Sequence, residues 1–400
     1  MKVGKEQIHN LPLNPVTNLG AYAQQLQKAA EEQGIYLPPP VRLQIGEPSF
    51  RTPEHIRQAA IESIQQETLT YGPPAGWSWL RELIAAKLVR VNGYHVSPEN
   101  IAVAVGGTGA IQAILLGTVG VGDEVLLPDP GWPHYRLQIA NTGATAVPYP
   151  LDPDHDWLPD VERLKPLVTP RTRLIIINTP GNPTGAVFPP ELVHELLAFA
   201  RQHDLYLLSD ECYDEMVFEG QHRSPASYLT PKEFENGNLL CVYTFSKTYA
   251  MTGWRVGYLV TSKELIKTIA TVLDASTTNV STLSQRAAAA ALTGPQDCVH
   301  EMRAIYQRRR DLAVTLLTQA GRYLYTPHGA FYLLIEVSGP NGPRAGRQFS
   351  QELLRETNIA VAPGSSFGEG TQGYIRVSLS ASDEEIERGI SEICAFANRQ

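Results

Sequence analysis

One lysine sits among hydroxyl side chains at the end of an apolar run, with an arginine eight residues behind it, in Tyr243-Thr244-Phe245-Ser246-Lys247-Thr248-Tyr249-Ala250-Met251-Thr252-Gly253-Trp254-Arg255. A lysine condenses with an aldehyde only when part of its amine is deprotonated, and its ordinary pKa of about 10.4 stands in the way. Burial and a nearby cation both lower that value. If the aldehyde carries a phosphate, Thr244, Ser246 and Arg255 are of the right types to bind it.

Four further clusters bear on the same chemistry. Gly106-Gly107-Thr108-Gly109-Ala110 lies between a predicted strand and a predicted helix, where glycines let backbone N–H groups approach an anion. It lacks the lysine of a P-loop and the GxGxxG spacing of a dinucleotide site. Asn178-Thr179-Pro180-Gly181-Asn182-Pro183-Thr184-Gly185 follows an apolar strand, so the amide of Asn182 would face the crevice where open α/β sheets bind ligands. Asp210-Glu211-Cys212-Tyr213 ends another apolar run and suits either a helix cap or a buried carboxylate for a cation. Arg376 interrupts the alternating strand Tyr374-Ile375-Arg376-Val377-Ser378, and its forked guanidinium matches a carboxylate. Taken singly, each cluster also has a structural reading as a packed turn, a cap or an exposed strand residue.

The elements that must position these residues follow from periodicity. Strands are predicted at 101–105, 124–128, 144–149, 174–178, 205–209, 239–244 and 256–260, several of them apolar at nearly every position, as strands buried on both faces are. Helical patterns at 110–116, 133–141, 159–167 and 189–203 alternate with them, which predicts a doubly wound α/β domain with a mostly parallel sheet flanked by helices. After residue 284 the pattern changes to a long helix over 296–320, strands at 331–337 and 374–379, a helix near 347–357, and a last helix opened by Ser382 and Glu385. The expected division is a large domain at 46–284 and a smaller α+β domain of 285–400 joined by 1–45, which holds one helix-prone stretch from Tyr22 to Gln33.

Composition removes other classes. A net charge of -8 argues against a nucleic-acid partner. The four cysteines stand far apart without a CxxC pair, so neither a zinc site nor a disulfide framework is expected. The charge-free stretch Ile101–Gly122 is long enough for a membrane span, but its glycine interruptions fit a buried strand-turn-helix better. The charged start, Met1-Lys2-Val3-Gly4-Lys5-Glu6, has no apolar core behind it, and the cytoplasm is the expected location.

In this order the clusters resemble the class I and II aminotransferases, the fold type I enzymes that depend on pyridoxal phosphate. The resemblance runs from Ile45-Gly46-Glu47-Pro48 through Tyr71-Gly72-Pro73-Pro74-Ala75-Gly76 and Pro327-His328-Gly329-Ala330-Phe331-Tyr332 to the Arg376 strand. It implies that Lys247 holds the cofactor covalently, that Asp210 pairs with its pyridine nitrogen, and that Asn182 and Tyr213 hydrogen-bond its phenolic oxygen. It further implies that Trp132 stacks on the ring and that Gly107, Thr108, Thr244, Ser246 and Arg255 hold the phosphate. Tyr71 would join them from a second subunit, giving a homodimer with shared sites. Arg376, with Trp132, Asn182 and the backbone of Gly46, would hold the substrate. The implied reaction is ping-pong transfer of an amino group from an L-amino acid to a 2-oxo acid, with 2-oxoglutarate as the expected acceptor. A lyase on the same fold would share the cofactor residues, and a cofactor-sensing regulator would need a DNA-binding segment that the residues before Gly46 do not supply. No arginine is assigned to a distal carboxylate. Thr108 and Gly109 stand in a loop where some relatives carry lysine, and Ser276-Thr277-Thr278-Asn279 offers hydroxyls and an amide, so a neutral or broad side-chain pocket is favoured.

Overall fold

Apolar runs in the first two-thirds of the chain become an eight-stranded sheet in the computed structural model, which describes residues 15–32, 34, 36–66, 68–337 and 345–399. Its strands are β1 (Ile101–Ala104), β2 (Glu124–Asp129), β3 (Thr145–Asp152), β4 (Leu158–Pro159), β5 (Thr172–Asn178), β6 (Tyr206–Asp210), β7 (Leu239–Thr244) and β8 (Gly257–Val260). Their order is β1-β8-β7-β6-β5-β2-β3-β4. The inner pairs β7·β6, β6·β5, β5·β2 and β2·β3 are parallel, while β8 runs antiparallel to both neighbours. Helices Gly106–Thr118, His134–Thr142 and Pro190–Gln202 connect successive strands of this sheet. Strands β1, β2 and β7 are buried at every residue, which explains why their sequences do not alternate.

Register brings the chemistry to one edge. Asn178 of β5 pairs with Asp210 of β6, and Asp210 with Val242 of β7, so the carboxyl ends of three strands lie side by side. The return from β7 to antiparallel β8 is the lysine-bearing segment itself, with a short helix at Phe245–Thr248.

The later part of the chain forms a second, antiparallel sheet of β9 (Tyr332–Glu336), β10 (Ala362–Pro363) and β11 (Tyr374–Ser378), ordered β9-β11-β10. Leu43 and Val41 join its core with Met302, Tyr306, Phe349 and Phe396, and Val41–Arg42 pairs with Ile359–Ala360. Helix Asp297–Gln319 packs on helix Asp383–Asn398, whose Ser382–Glu385 capping box is formed. The arginines of the long helix tie it down. Arg308 and Arg309 bind Asp383 at 2.7 and 2.9 Å, and buried Arg310 donates to Pro327 O at 2.6 Å.

Some predicted elements differ. The stretch 159–167 is not one helix: Leu158–Pro159 is a strand, Val161–Leu164 one helical turn, and Lys165–Leu167 a 3-10 turn that Pro166 opens. Gly106 and Gly107, expected in the turn, begin the helix. Helices Glu54–Gln66, Ser78–Lys87, Lys263–Thr277 and Thr282–Thr293 were not predicted. The N-terminal helix starts earlier than expected, at Pro15, and Gln33 lies outside the described residues. Among the described residues no helix is long and apolar enough to cross a membrane, and Ile101–Gly122 divides into β1 and the helix Gly106–Thr118.

Candidate active site

Thr244 ends β7 in an extended conformation and caps the short helix after it, accepting from the Ser246 N–H at 3.2 Å and donating to Ser246 Oγ at 3.0 Å. That cap turns Lys247 toward the cavity, where its amine donates to Gly46 O at 2.6 Å. Burial, reinforced by the positive charges of Arg376 and Arg255 and opposed by Cys212 and Glu47, pushes the Lys247 pKa down to about 8. Arg255 takes the left-handed conformation at φ 52°, which swings its guanidinium against the start of helix Gly106–Thr118. Gly106 itself has φ 69°, and a Cβ there would stand 3.0 Å from Arg255 Nη2. Glycine keeps that approach open.

Asp210 is buried at the end of β6. Its carboxylate accepts from Tyr135 Oη at 2.5 Å and from the Cys212 N–H at 3.1 Å, but among the described residues it has no cation. Burial raises its pKa, and the bonds from Cys212 and Tyr135 oppose the rise. Such a carboxylate accommodates either a proton or a cationic N–H delivered by a guest. Beside it, Asn178 Nδ2 donates to Asp210 O at 3.0 Å, and Asn178 Oδ1 accepts from the Asn182 N–H at 2.8 Å. Tyr213 Oη lies 2.8 Å from Tyr332 Oη. The Trp132 ring stacks on His134 at 4.5 Å and meets Tyr135 edge-on at 5.4 Å.

The opposite wall comes from the small sheet. Arg376 of β11 is 4% exposed, donates from Nη2 to Gln44 O at 2.5 Å and from Nη1 to Asn182 Oδ1 at 3.2 Å, and stacks over Tyr332 and Phe367 at 4.4 and 4.9 Å. Its buried Nε has no hydrogen-bond partner among the described residues. Gly46 packs so closely on Tyr332 that any Cβ there would collide with the phenol oxygen.

These groups surround a cavity of about 260 Å³. Gly46, Gly107, Thr108, Trp132, Asn182, Asp210, Tyr213, Thr244, Ser246, Lys247, Arg255 and Arg376, all predicted from sequence, line it. Tyr71 does not; it is 85% exposed. Nor do Ser276–Asn279, whose Ser276 and Thr277 hydroxyls bond back to the carbonyls of Val272 and Leu273 at the end of their helix. Sequence reasoning gave no role to Tyr135, Asn178, Gln44 or Phe367. Tyr135 stands three residues after Trp132, in the first turn of helix His134–Thr142, and its nearness in sequence to a predicted ring-stacking residue could have drawn notice. The arrangement fits a flat guest with three poles: a phosphate at the Gly107–Arg255 end, a protonated ring nitrogen at Asp210, and an aldehyde carbon within reach of Lys247. Arg376 is left for a carboxylate.

A family model described as aminotransferase class I and II matches residues 38–393. Over 370 residues the chain is 38% identical to the aspartate/prephenate aminotransferase of Thermus thermophilus, covering 92% of each chain. Over 358 residues it is 35% identical to aromatic-amino-acid aminotransferase 2 of Thermococcus litoralis, covering 88% of this chain and 90% of that one. The solved structure of aspartate aminotransferase from Thermus thermophilus with maleate is 36% identical and superposes with a TM-score of 0.90, covering 99% of this chain and 100% of that one.

Proposed function

The chain belongs to the class I and II aminotransferases, pyridoxal phosphate-dependent enzymes that move an amino group from an amino acid to a 2-oxo acid, and from that premise we propose how its own residues divide the work. Lys247 holds the cofactor covalently. Asp210 keeps the ring nitrogen protonated, Asn182 and Tyr213 donate to the phenolic oxygen, and Trp132 covers the ring. Gly107, Thr108, Thr244, Ser246 and Arg255 hold the phosphate. When bound, pyridoxal phosphate supplies an electron-accepting ring that makes the substrate's α-proton labile.

The substrate's α-carboxylate is received by Arg376, whose fork presents two parallel donors, while Asn182 and the Gly46 backbone fix its plane. The Lys247 amine, when free, would accept the proton from the substrate's Cα and hold it for return to the product. A pKa of about 8 leaves an appreciable free-base fraction near neutrality, as that task requires. This juxtaposition carries the reading: a depressed lysine between a buried carboxylate without a cation and a buried guanidinium without a carboxylate. Borohydride reduction of the loaded protein followed by peptide mapping tests it. The label is expected on Lys247, and a label on another lysine overturns the assignment.

The cations lining the cavity, among the described residues, are Lys247, Arg255 and Arg376, and each has a use in this scheme. The same lining carries the apolar side chains of Ile111, Trp132, Pro133 and Phe367, and we assign a neutral or broad side-chain pocket for the donor. For the acceptor we take 2-oxoglutarate, by analogy with the family. We further propose a homodimer in which Tyr71 of one copy reaches the phosphate of the other. Its loop is anchored, Thr282 Oγ1 donating to Thr70 O at 3.0 Å, and the apolar side chains of Ile61, Ile64 and Leu69 are exposed on the same segment. Mixing Lys247→Ala with Tyr71→Phe chains should then give more activity than either parent. A fully active monomer in sedimentation refutes the shared site. The reading keeps the cytoplasmic location. It also keeps the division into a large domain at 46–284 and a small one of 1–45 with 285–400, which the joining of Val41 and Leu43 to the second core supports.

A further inference from the structure

At the end of β6 and just after it, Asp210, Cys212 and Tyr213 line the cavity, whereas Glu211 and Asp214 turn the other way into the protein. Neither of these two carboxylates has a part in the scheme above. Glu211 is fully buried and is met by Ser224 Oγ and His222 Nε2, each at 2.9 Å. Asp214 is met by Lys87 Nζ at 2.5 Å and Asn92 Nδ2 at 2.9 Å, and Lys87 also donates to Asn92 Oδ1 at 2.9 Å. Lys87, Asn92 and Asp214 are all buried. They come from the end of helix Ser78–Lys87, the turn after it and the residue directly following Tyr213.

Their place matters. Lys87, Asp214 and Glu215 share a small recess with Tyr243, Thr244, Phe245, Thr248, Tyr249 and Tyr258, which is the rear of the lysine-bearing turn. The Lys87 amine stands 5.1 Å from the Tyr243 ring. A buried ion pair is a poor device for stability, because desolvation consumes most of the Coulomb gain and apolar residues of similar volume do as well. It does fix geometry, since each donor and acceptor has one favourable arrangement. Asp214 directly follows Tyr213 in a tight turn, its N–H donating to Glu211 O at 3.1 Å and the Met216 N–H to Tyr213 O at 2.8 Å. The Asp214 side chain therefore anchors the backbone that carries the Tyr213 ring.

We propose that Lys87, Asn92 and Asp214 form a clamp behind the active site whose function is to position the Tyr213 hydroxyl relative to Lys247. They are positioning residues: they touch neither cofactor nor substrate, and act through the Tyr213 turn on one side and the rear of the Thr244–Tyr249 segment on the other. The inference rests on the proposed bond from Tyr213 to the cofactor's phenolic oxygen, which favours the deprotonated form of the Lys247 linkage.

The test titrates the absorbance of the loaded enzyme with pH in three proteins, wild type, Tyr213→Phe and the double variant Lys87→Met/Asp214→Leu, alongside their thermal unfolding. Tyr213→Phe should raise the titration midpoint. The double variant should raise it in the same direction, with proton affinity about tenfold tighter. Its Tm should fall, because it leaves buried Asn92 and the buried Oε1 of Glu215 without the Lys87 amine, so the midpoint is read only in protein shown to be folded. Asn92→Ala, which removes a donor to Asp214 and an acceptor from Lys87 but keeps the ion pair, should give a smaller rise and serves if the double variant does not fold. A midpoint unmoved in a folded clamp variant, where Tyr213→Phe does move it, overturns the clamp and leaves the Tyr213 assignment standing. A midpoint unmoved by Tyr213→Phe overturns both.

Discussion

Asp210 and Arg376 are both buried charged groups with no ion-pair partner among the described residues, yet they are held in different ways. Asp210 sits in the large sheet between hydrogen-bonded neighbours, its height fixed by register with Asn178 and Val242. Arg376 sits in a short antiparallel sheet and is steadied by Gln44, Asn182, Tyr332 and Phe367, which come from separate parts of the chain. Both residues are held in register, Asp210 between parallel strands and Arg376 between Leu334 and Ala362 of antiparallel ones. The long guanidinium, however, depends in addition on groups brought in from both sheets and from the segment at Gln44. The difference maps onto what each must do. A group that stays with a resident cofactor gains from a rigid frame, whereas one that receives and releases a different guest in each half-reaction needs partners that can adjust.

The strongest way to break this comparison is at the rigid wall. Asp210→Asn keeps the shape and the Tyr135 and Cys212 neighbours but cannot hold a proton on a ring nitrogen through charge. Transamination should fall roughly 10²–10⁴-fold, measured as the rate of the first half-reaction. Thermal stability should hold or rise, because burial already disfavours the charged carboxylate and pushes its pKa up. Near-normal turnover would remove the proposed role of Asp210.

Register also explains what could be read from the sequence. Strands β5, β6 and β7 are apolar runs that end on Asn178, Asp210 and Thr244, and parallel pairing by itself carries those ends to one edge. The same logic placed the Lys247 turn. It did not yield Tyr135, whose bond to Asp210 depends on how helix His134–Thr142 packs across the sheet. Nor did it yield Gln44, which meets Arg376 through its backbone carbonyl, a group every residue has. One of the missed helices has a cause in its composition. Thr282–Thr293 contains a run of alanines, and small side chains packed on Glu54–Gln66 leave little periodic contrast to detect. Lys87 gave no sign in the sequence, because its burial depends on Asp214, far along the chain.

The adjustable wall should give a smaller effect. Arg376→Lys leaves a charge but loses the paired donors, and amino-acid and 2-oxo-acid substrates should lose about 10- to 100-fold in kcat/KM. Amines without a carboxylate should be nearly unaffected, since they make no use of the Arg376 fork. Equal losses for both kinds of donor would mean that Arg376 supports the fold, and the contrast between the walls would disappear.

Lys247 lies between the walls, and the smallest effect expected there is on stability. In the protein without cofactor its pKa is lowered to about 8, chiefly by burial, against about 10.4 in an unfolded chain. Between those values the unfolded state binds more protons than the folded one, so the wild-type apoprotein gains stability as pH rises through that window. Below pH 8 both states are protonated, and the folded chain bears the full cost of burying the charge. Lys247→Met lacks this term, although it also loses the bond to Gly46 O. The stability of the variant relative to wild type should therefore fall as pH rises from about 8 to about 10, by about 1–2 kcal/mol once the water open to the cavity is counted. Denaturant unfolding of the two apoproteins at both ends of the window measures the swing. A difference that stays constant with pH would mean that Lys247 keeps an ordinary pKa until the cofactor arrives, and that the depression comes from the cofactor rather than from the walls.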